Sequence, residues 1–282
     1  MARHWTLDDI PWDRFDAAQV DPDILAVVKA ASMVEANAAD YVRYLENVFR
    51  DDEEFLKAAR AWGVEEEQHG AALGRWAEIA DPGFSFADSL AEFRRGFRVP
   101  LDSESSIRGS RAGELIARQV VETGTSSFYS ALRDASDEPV LKEICRRIAI
   151  DEFFHYQLFQ KHFRRYRERD RPGILERLKV ALGRVQEAED DELAYAYYAA
   201  NVWPRDPAHP YRREECGRDY WVRAMALYRP RHIDSATRMI LRAAELKANG
   251  RLADLAARGA FALVRWRCER LRRDVAAAAR AA

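Results

Sequence analysis

The sequence predicts an all-α protein, and three observations support this fold class. Apolar residues recur at three- and four-residue spacing over long stretches, which is the spacing of one face of a helix. Alternation of β-branched residues, which is typical of strands, is rare. Glycine and proline are few, at 13 and 10 of 282 residues, and they cluster at a small number of points. The chain is therefore predicted to consist of long helices joined by short connections.

Four long helices and several shorter ones follow from this pattern. The long helices are expected at 22–49, 52–80, 104–135 and 138–169, with a short helix near 86–97. Asp51 and Asp137 are the expected N-caps of the second and fourth long helices. After the Arg-Pro-Gly break at 171–173, the remaining predicted elements are helices at 173–201, 219–228, 233–248 and 251–279, with a proline-rich loop at 204–213.

This pattern divides the chain into three parts. An N-terminal extension covers residues 1–21, and a four-helix bundle covers residues 22–170. A C-terminal helical extension, residues 171–282, is expected to pack on that bundle.

Composition limits the class of protein. The chain is 48% apolar and 33% charged, which describes an ordered globular protein rather than a disordered one. A net charge of −2 gives no global argument for binding nucleic acid or an anionic membrane. The three cysteines lie far apart and predict neither a disulfide framework nor a zinc site, which favours the cytoplasm. No apolar run is long enough to predict a transmembrane helix, and no signal peptide is expected.

Polar residues interrupt the inward-facing positions of the second and fourth long helices. These positions recur every 3.5 residues on a bundle helix. In the second helix they are apolar except at Glu66 and His69, one turn apart, whereas Glu65 lies at the flank and Glu67 points away. The fourth helix repeats the pattern, with its own Glu-x-x-His pair at 152–155.

A lone glutamate occupies the inward-facing positions of the other two long helices. Glu35 lies on the first helix and Glu122 on the third. Each therefore precedes a Glu-x-x-His helix, so the two halves of the predicted bundle match.

Four carboxylates facing one core need protons, cationic partners or metal, because burying an unpaired charge is costly. One glutamate from each of two helices and Glu-x-x-His from each of two others is the ligand set of ferritin-like di-iron and di-manganese proteins. Oxygen donors with one imidazole for each metal suit iron or manganese. We therefore predict two iron ions, with manganese possible in one or both sites.

The same residues resemble a known family, the soluble acyl-carrier-protein (acyl-ACP) desaturases of the ferritin-like superfamily. RAWGVEEEQHG at 60–70 looks like that family's Trp-x-x-x-Glu-x-x-His-Gly signature, and DEFFH at 151–155 looks like its Asp-Glu-x-x-His. The resemblance extends to Glu35 followed by Tyr41 and to Glu122 followed by Thr125. Tyr156 departs from the family, which often has a carboxylate there, and plant-type members are longer than this chain. The sequence therefore does not determine the substrate channel.

The resemblance implies a role for each of these residues. Glu66 and Glu152 would bridge two irons, Glu35 and Glu122 would each chelate one, and the set would be completed by His69 and His155. Three further side chains would assist them: Asp151 would orient His69, Trp62 would lie on the route of electrons to the metals, and Thr125 would assist proton delivery. Ordinary explanations remain open for these three, namely an exposed helix acid, core packing and a distortion of the helix at Thr123–Ser127.

The resemblance also implies a function. The expected enzyme uses O₂ and electrons from a ferredoxin-like donor to introduce a double bond into a fatty-acyl chain on acyl carrier protein, as a homodimer. Three alternatives remain: a di-iron hydroxylase or N-oxygenase acting on a small molecule or a tRNA base, a ferritin-like ferroxidase or peroxide scavenger, and an interaction protein with a vestigial site.

Two arginine-rich segments remain outside this assignment. The arginines at 164–171 and 265–273 match an acidic carrier protein or simply form solvated helix faces. The amphipathic segment 252–273 would either lie on a membrane surface or pack on its own bundle or a second subunit, and packing is the more common arrangement.

Overall fold

The computed structural model describes residues 4–99, 103–187 and 191–281, with side chains to residue 273, and its regular elements in these ranges are all helical. The all-α prediction is confirmed for this part of the chain. Three 3-10 turns precede the first α-helix. The α-helices are α1 (Pro22–Glu35), α2 (Ala38–Val48), α3 (Glu53–Ala80), α4 (Phe86–Gly96), α5 (Arg111–Ala135), α6 (Pro139–Asp170), α7 (Ile174–Gln186), α8 (Asp191–Tyr197), α9 (Arg213–Ala226), α10 (Pro230–Ala243) and α11 (Arg251–Ala281).

Two of the predicted long helices have different boundaries. The helix expected at 22–49 is broken at Ala36 and Asn37, where a side-chain nitrogen of Arg94 donates to the Ala36 carbonyl at 2.7 Å. The helix expected from 104 begins at Arg111, because Gly109 has a φ of +84° and the Ser110 side chain caps the new helix.

The predicted caps and C-terminal helices are also corrected. The N-caps of α3 and α6 are Asp52 and Glu138, each one residue after the predicted Asp51 and Asp137. The helix expected at 173–201 is two helices followed by a π-helical turn at Tyr198–Val202, and its residues 188–190 lie outside the described ranges. The helices expected at 219–228 and 233–248 begin earlier, at Arg213 and Pro230.

Helices α1, α3, α5 and α6 pack against one another and enclose the interior. Helix α5 lies along α6, α3 contacts both α1 and α6, and α2 also packs on α3. One apolar cluster, which includes Trp76 and Leu141, fills one end of this group, and a second, which includes Phe55 and Phe159, fills the other. On α3 the polar residues Glu66 and His69 lie between the residues of the two clusters. The interior is therefore apolar at both ends and polar at its centre.

The C-terminal helices surround this group. Helices α8 and α9 contact α1, helices α7 and α10 contact α5, and α11 contacts α9 and α10. Helix α6 ends at Asp170, and Arg171 follows in a left-handed conformation with a φ of +47°. The domain division at that point stays a prediction. Within the described ranges, no helix has both the length and the apolar content needed to cross a membrane.

Gly70 allows α3 to approach the break between α1 and α2. A Cβ atom at this position would lie 2.5 Å from the backbone nitrogen of Ala36 and 2.7 Å from its Cβ. We expect Gly70→Ala to lower the free energy of unfolding by about 1–3 kcal/mol, because the backbone would have to shift. Urea unfolding measures this effect. Gly124→Ala is the matched control, since a Cβ there meets nothing within 4 Å and removing a mid-helix glycine should add up to about 1 kcal/mol. Equal effects of the two substitutions would contradict the close-approach explanation.

Candidate metal centre

Six buried side chains meet at the polar centre of the molecule, and they are the six ligands predicted from the sequence. They come from four helices, so the site depends on the packing of the whole group. Helix α1 contributes Glu35, α3 contributes Glu66 and His69, α5 contributes Glu122, and α6 contributes Glu152 and His155.

These six residues form two groups of four with two members in common. One group is Glu35, Glu66, His69 and Glu152, and the other is Glu66, Glu122, Glu152 and His155. Within each group one potential ligand atom from every residue lies within 4.8 Å of the others. Glu66 and Glu152 belong to both groups, so each would lie between two ions if both groups held one. The arrangement is compatible with a metal site.

Each of the six residues directs one polar atom inward that has no hydrogen-bond partner. These atoms are Glu35 Oε2, Glu66 Oε1, His69 Nδ1, Glu122 Oε1, Glu152 Oε1 and His155 Nδ1. Some lie close together, with His155 Nδ1 at 2.9 Å from Glu66 Oε1 and His69 Nδ1 at 3.2 Å from Glu152 Oε1, but without hydrogen-bond geometry. Unpaired buried polar atoms are rare and costly. Four carboxylates and two imidazoles that converge in this way fit metal ions as their missing partners.

The two histidines are oriented by carboxylates on the opposite helix. His69 Nε2 lies 3.1 Å from Asp151 Oδ2, as the resemblance implies, and His155 Nε2 lies 2.8 Å from Glu65 Oε2. A carboxylate on the outer nitrogen of a metal-binding histidine fixes its ring orientation and its tautomer. The sequence analysis missed this role of Glu65 and placed the residue only at the flank. The sequence did contain an indication of this role, because an acidic residue directly precedes the inward glutamate in both halves.

The N-terminal extension covers one side of this site, which the sequence did not indicate. The Trp5 indole nitrogen donates to Asp151 Oδ2 at 2.6 Å, and its ring stacks on His69 with 5.9 Å between the ring centroids. Half-exposed His4 also contacts Asp151, with Nε2 at 3.1 Å from Oδ2. A continuous chain of contacts thus runs from the N-terminal segment through Asp151 to a predicted ligand.

Two hydroxyl groups contact the carboxylates from α5. Tyr129 donates to Glu35 Oε1 at 2.5 Å, and Thr125 donates to Glu152. Thr125 therefore lies beside a predicted bridging residue, and α5 is continuous through this stretch. Tyr129 was not predicted as a site residue, although it occupies an inward-facing position two turns after Glu122.

Trp62 is the last of the candidate residues, and His162 is a further buried histidine of α6. Trp62 is buried with its ring edge-on to His155, at 6.5 Å between centroids, and its indole nitrogen has no hydrogen-bond partner. His162 lies away from the six ligands, against Phe55 and Arg165, as expected of a core histidine. Of the two tryptophans beside the ligands, only Trp5 is hydrogen-bonded to the residues that orient them.

Burial shapes the electrostatics of the six-residue cluster. Burial together with repulsion from Glu152 raises the pKa of Glu66 well above its usual value, and it raises the pKa of Glu122 to about 8. Burial alone would lower the pKa of His69, but the hydrogen bond with Asp151 and the nearby carboxylates of Glu152 and Glu35 outweigh it and raise that pKa well above 6.5. The pKa of His155 is raised for the same reason. Without metal, the site therefore holds protons that cations would displace.

No protein-family model matches this chain, and no curated protein is detectably similar to it. The assignment of a function therefore depends on the site itself and on the resemblance of its motifs. A cluster of oxygen donors with one imidazole in each group can bind hard or borderline divalent cations such as iron and manganese.

A polar cleft lies between α5 and α10. Its volume is about 200 Å³, and it is lined by Ser126, Ser127, Ser130, Arg133, Asp134, Arg231, His232, Ser235 and Met239. Ser126 directly follows Thr125, and the Tyr156 hydroxyl donates to the backbone carbonyl of Met239. The cleft therefore adjoins the site along α5, and one of its lining residues, Met239, contacts the residue that follows His155 on α6.

Proposed function

We propose that this protein is a ferritin-like di-iron oxidoreductase that uses O₂ to introduce a double bond into a fatty-acyl chain carried on acyl carrier protein. The observation that carries the di-iron part is the pair of four-residue groups that share Glu66 and Glu152. Desaturation and the carrier are supported by the resemblance of RAWGVEEEQHG and DEFFH to acyl-ACP desaturases. The proposed fold of the site is a four-helix bundle formed by α1 with α2, α3, α5 and α6.

The protein would hold the metals with residues that are already in place. Glu35 and His69 would belong to one ion, Glu122 and His155 to the other, and Glu66 and Glu152 to both. When bound, the two ions supply reductive activation of O₂ and an oxidant strong enough for unactivated C–H bonds.

The surrounding side chains would orient these ligands and move protons. Asp151 and Glu65 accept from the outer nitrogens of the two histidines and hold each ring with its Nδ1 toward the centre. The Thr125 hydroxyl donates to Glu152 Oε2 and can pass a proton to that oxygen. Trp62 lies edge-on to His155, and we keep for it the place on the electron route that the resemblance suggested.

A second candidate is a di-iron hydroxylase or N-oxygenase acting on a small polar molecule. The cleft between α5 and α10 favours it, because eight of its nine lining residues are polar or charged. An acyl chain would instead require an apolar channel. The two candidates share the metal ligands and differ in the product, since desaturation removes two hydrogens and hydroxylation adds one oxygen.

Metal content and product mass test the proposal in sequence. Protein purified without chelator should hold about two iron or manganese ions per chain, and Glu152→Ala should hold almost none. The reduced protein, incubated with stearoyl- or palmitoyl-carrier protein and O₂, should then yield acyl chains two mass units lighter. Metal binding with oxygenated or unchanged acyl chains would reject desaturation and leave the hydroxylase. Wild-type protein that holds no iron or manganese would reject both candidates.

A further inference from the structure

The outward face of α11 carries an apolar stripe that no other part of the described chain covers. Leu252, Leu255, Leu263 and Trp266 are 84%, 66%, 53% and 50% exposed. At 3.6 residues per turn, these four positions fall within an arc of about 80°. The opposite face, with Ala253, Ala257 and Cys268, is buried where α11 packs on α9 and α10. The helix is therefore apolar on two sides, and the other described helices cover only one of them.

The segment that carries the stripe is strongly basic. Residues 251–273 include seven arginines and two acidic residues, a net charge of +5, although the whole chain has a charge of −2. Five of the arginines lie in the short stretch 265–273. The Arg270 guanidinium lies over the Trp266 ring, 5.8 Å from its centroid. One of the two acidic residues, Asp254, accepts a hydrogen bond from Arg238 on α10.

We propose that α11 docks this protein on the surface of an anionic membrane, with the leucine and tryptophan stripe in the acyl boundary and the arginines at the headgroups. An exposed apolar stripe flanked by arginines is the pattern of a helix that lies in the membrane interface. Tryptophan is favoured at that depth, and arginine side chains are attracted by anionic lipids. The proposal concerns a helix that carries none of the six residues of the candidate metal centre, and it does not depend on the proposed reaction.

Charge favours a lipid surface over a second copy of the chain. Pairing two α11 helices through their stripes would bring two segments of charge +5 together, and like charges at an interface are repelled. An anionic bilayer satisfies both features, since its headgroups are complementary to the arginines and its acyl chains cover the leucines. The stripe and the arginines therefore have one partner in common.

Sedimentation with lipid vesicles tests this assignment on the full chain. We expect the protein to bind vesicles that contain phosphatidylglycerol at least about tenfold more strongly than pure phosphatidylcholine vesicles, and to be released by salt. The triple variant Leu255→Gln, Leu263→Gln and Trp266→Gln should lose binding to both. Leu175→Gln is the matched control, because Leu175 on α7 is 83% exposed and lies outside the stripe. Circular dichroism and metal content verify that each variant is folded.

Several outcomes would overturn the proposal. Equal binding to the two kinds of vesicle would remove the role of the arginines, and equal loss in the triple variant and in Leu175→Gln would remove the role of the stripe. Absence of vesicle binding, together with a dimer in analytical ultracentrifugation that the triple variant abolishes, would assign the stripe to a second copy. Absence of both would leave the stripe without a partner and reject the proposal.

Discussion

Alanine substitution of the three consecutive glutamates Glu65, Glu66 and Glu67 is expected to give three different metal affinities. Glu66→Ala should weaken metal binding by more than about 100-fold, and Glu65→Ala by about 10–100-fold, the usual effect of losing an outer partner of a ligand. Glu67→Ala should leave binding unchanged. The three changes are chemically identical and adjacent in one helix, so the different results would depend only on where each side chain points.

The structure gives a separate reason for each result. Glu66 is buried, belongs to both four-residue groups and has an unpartnered oxygen directed inward. Glu65 has no place in either group, but it accepts from the outer nitrogen of His155 and so orients a ligand. Glu67 is exposed to solvent. Because alanine is the best helix former, none of the substitutions should disturb α3 itself.

Metal titration followed by mass spectrometry of bound iron or manganese measures the series. Circular dichroism provides the control for folding, and a Glu152→Ala variant should match Glu66→Ala because both residues are shared between the two groups. Retention of metal by Glu66→Ala at the wild-type affinity would show that the six residues are not a ligand set. Loss of metal binding in Glu67→Ala would show that the inward face of α3 is assigned incorrectly.

The face of α3 could be predicted because the chemistry of its residues is periodic. Phe55, Trp62 and Leu73 mark the buried stripe, and Glu66 and His69 fall on that stripe by counting turns. Helix boundaries were harder to predict, since they depend on contacts with residues that are distant in the sequence. The break after Glu35 accompanies the hydrogen bond from Arg94, which is distant in the sequence and has no counterpart in the local pattern.

The six residues of the buried cluster could be predicted from the sequence, whereas most of their outer partners could not. Glu65 could have been found by comparing the acid that precedes the inward glutamate in each half. Trp5 could not, because it lies in an irregular stretch before the first 3-10 turn, and only the path of the N-terminal extension brings it to Asp151. Tertiary contacts of this kind, between segments distant in the sequence, produce no periodic pattern from which they could be predicted.

The metal-free protein is expected to lose stability as pH rises from about 5 to about 8, whereas most globular proteins keep or gain stability over the acidic part of this range. The cause is the set of buried groups that would bind metal. The pKa of Glu122 is raised by burial and by Glu152 from 4.5 to about 8. Between those values the folded site keeps a proton that the unfolded chain has released, so the free energy of unfolding falls with pH.

The other members of the cluster act in the same direction above pH 5. The pKa of Glu66 is also raised. The raised pKa values of His69 and His155 add stability that is fully present below about 6.5 and is lost as pH rises through their folded values. Burial raises the pKa of Glu152, but the nearby imidazoles of His69 and His155 outweigh it and give a net lowering. That group therefore opposes the trend only below its unfolded value of 4.5.

Urea unfolding of the metal-free protein at pH 5, 6, 7 and 8 measures the trend, and we expect a total loss of several kcal/mol, since each shifted pKa unit is worth about 1.4 kcal/mol. Glu122→Gln supplies the control, because its neutral amide replaces the protonated acid and should make the pH dependence less steep. Adding iron(II) or manganese(II) should reverse the slope, since cations displace the same protons and bind the folded state more tightly as pH rises. A metal-free protein whose stability increased from pH 5 to 8 would show that these carboxylates are ionised without a cation, and would remove the electrostatic argument for a metal centre.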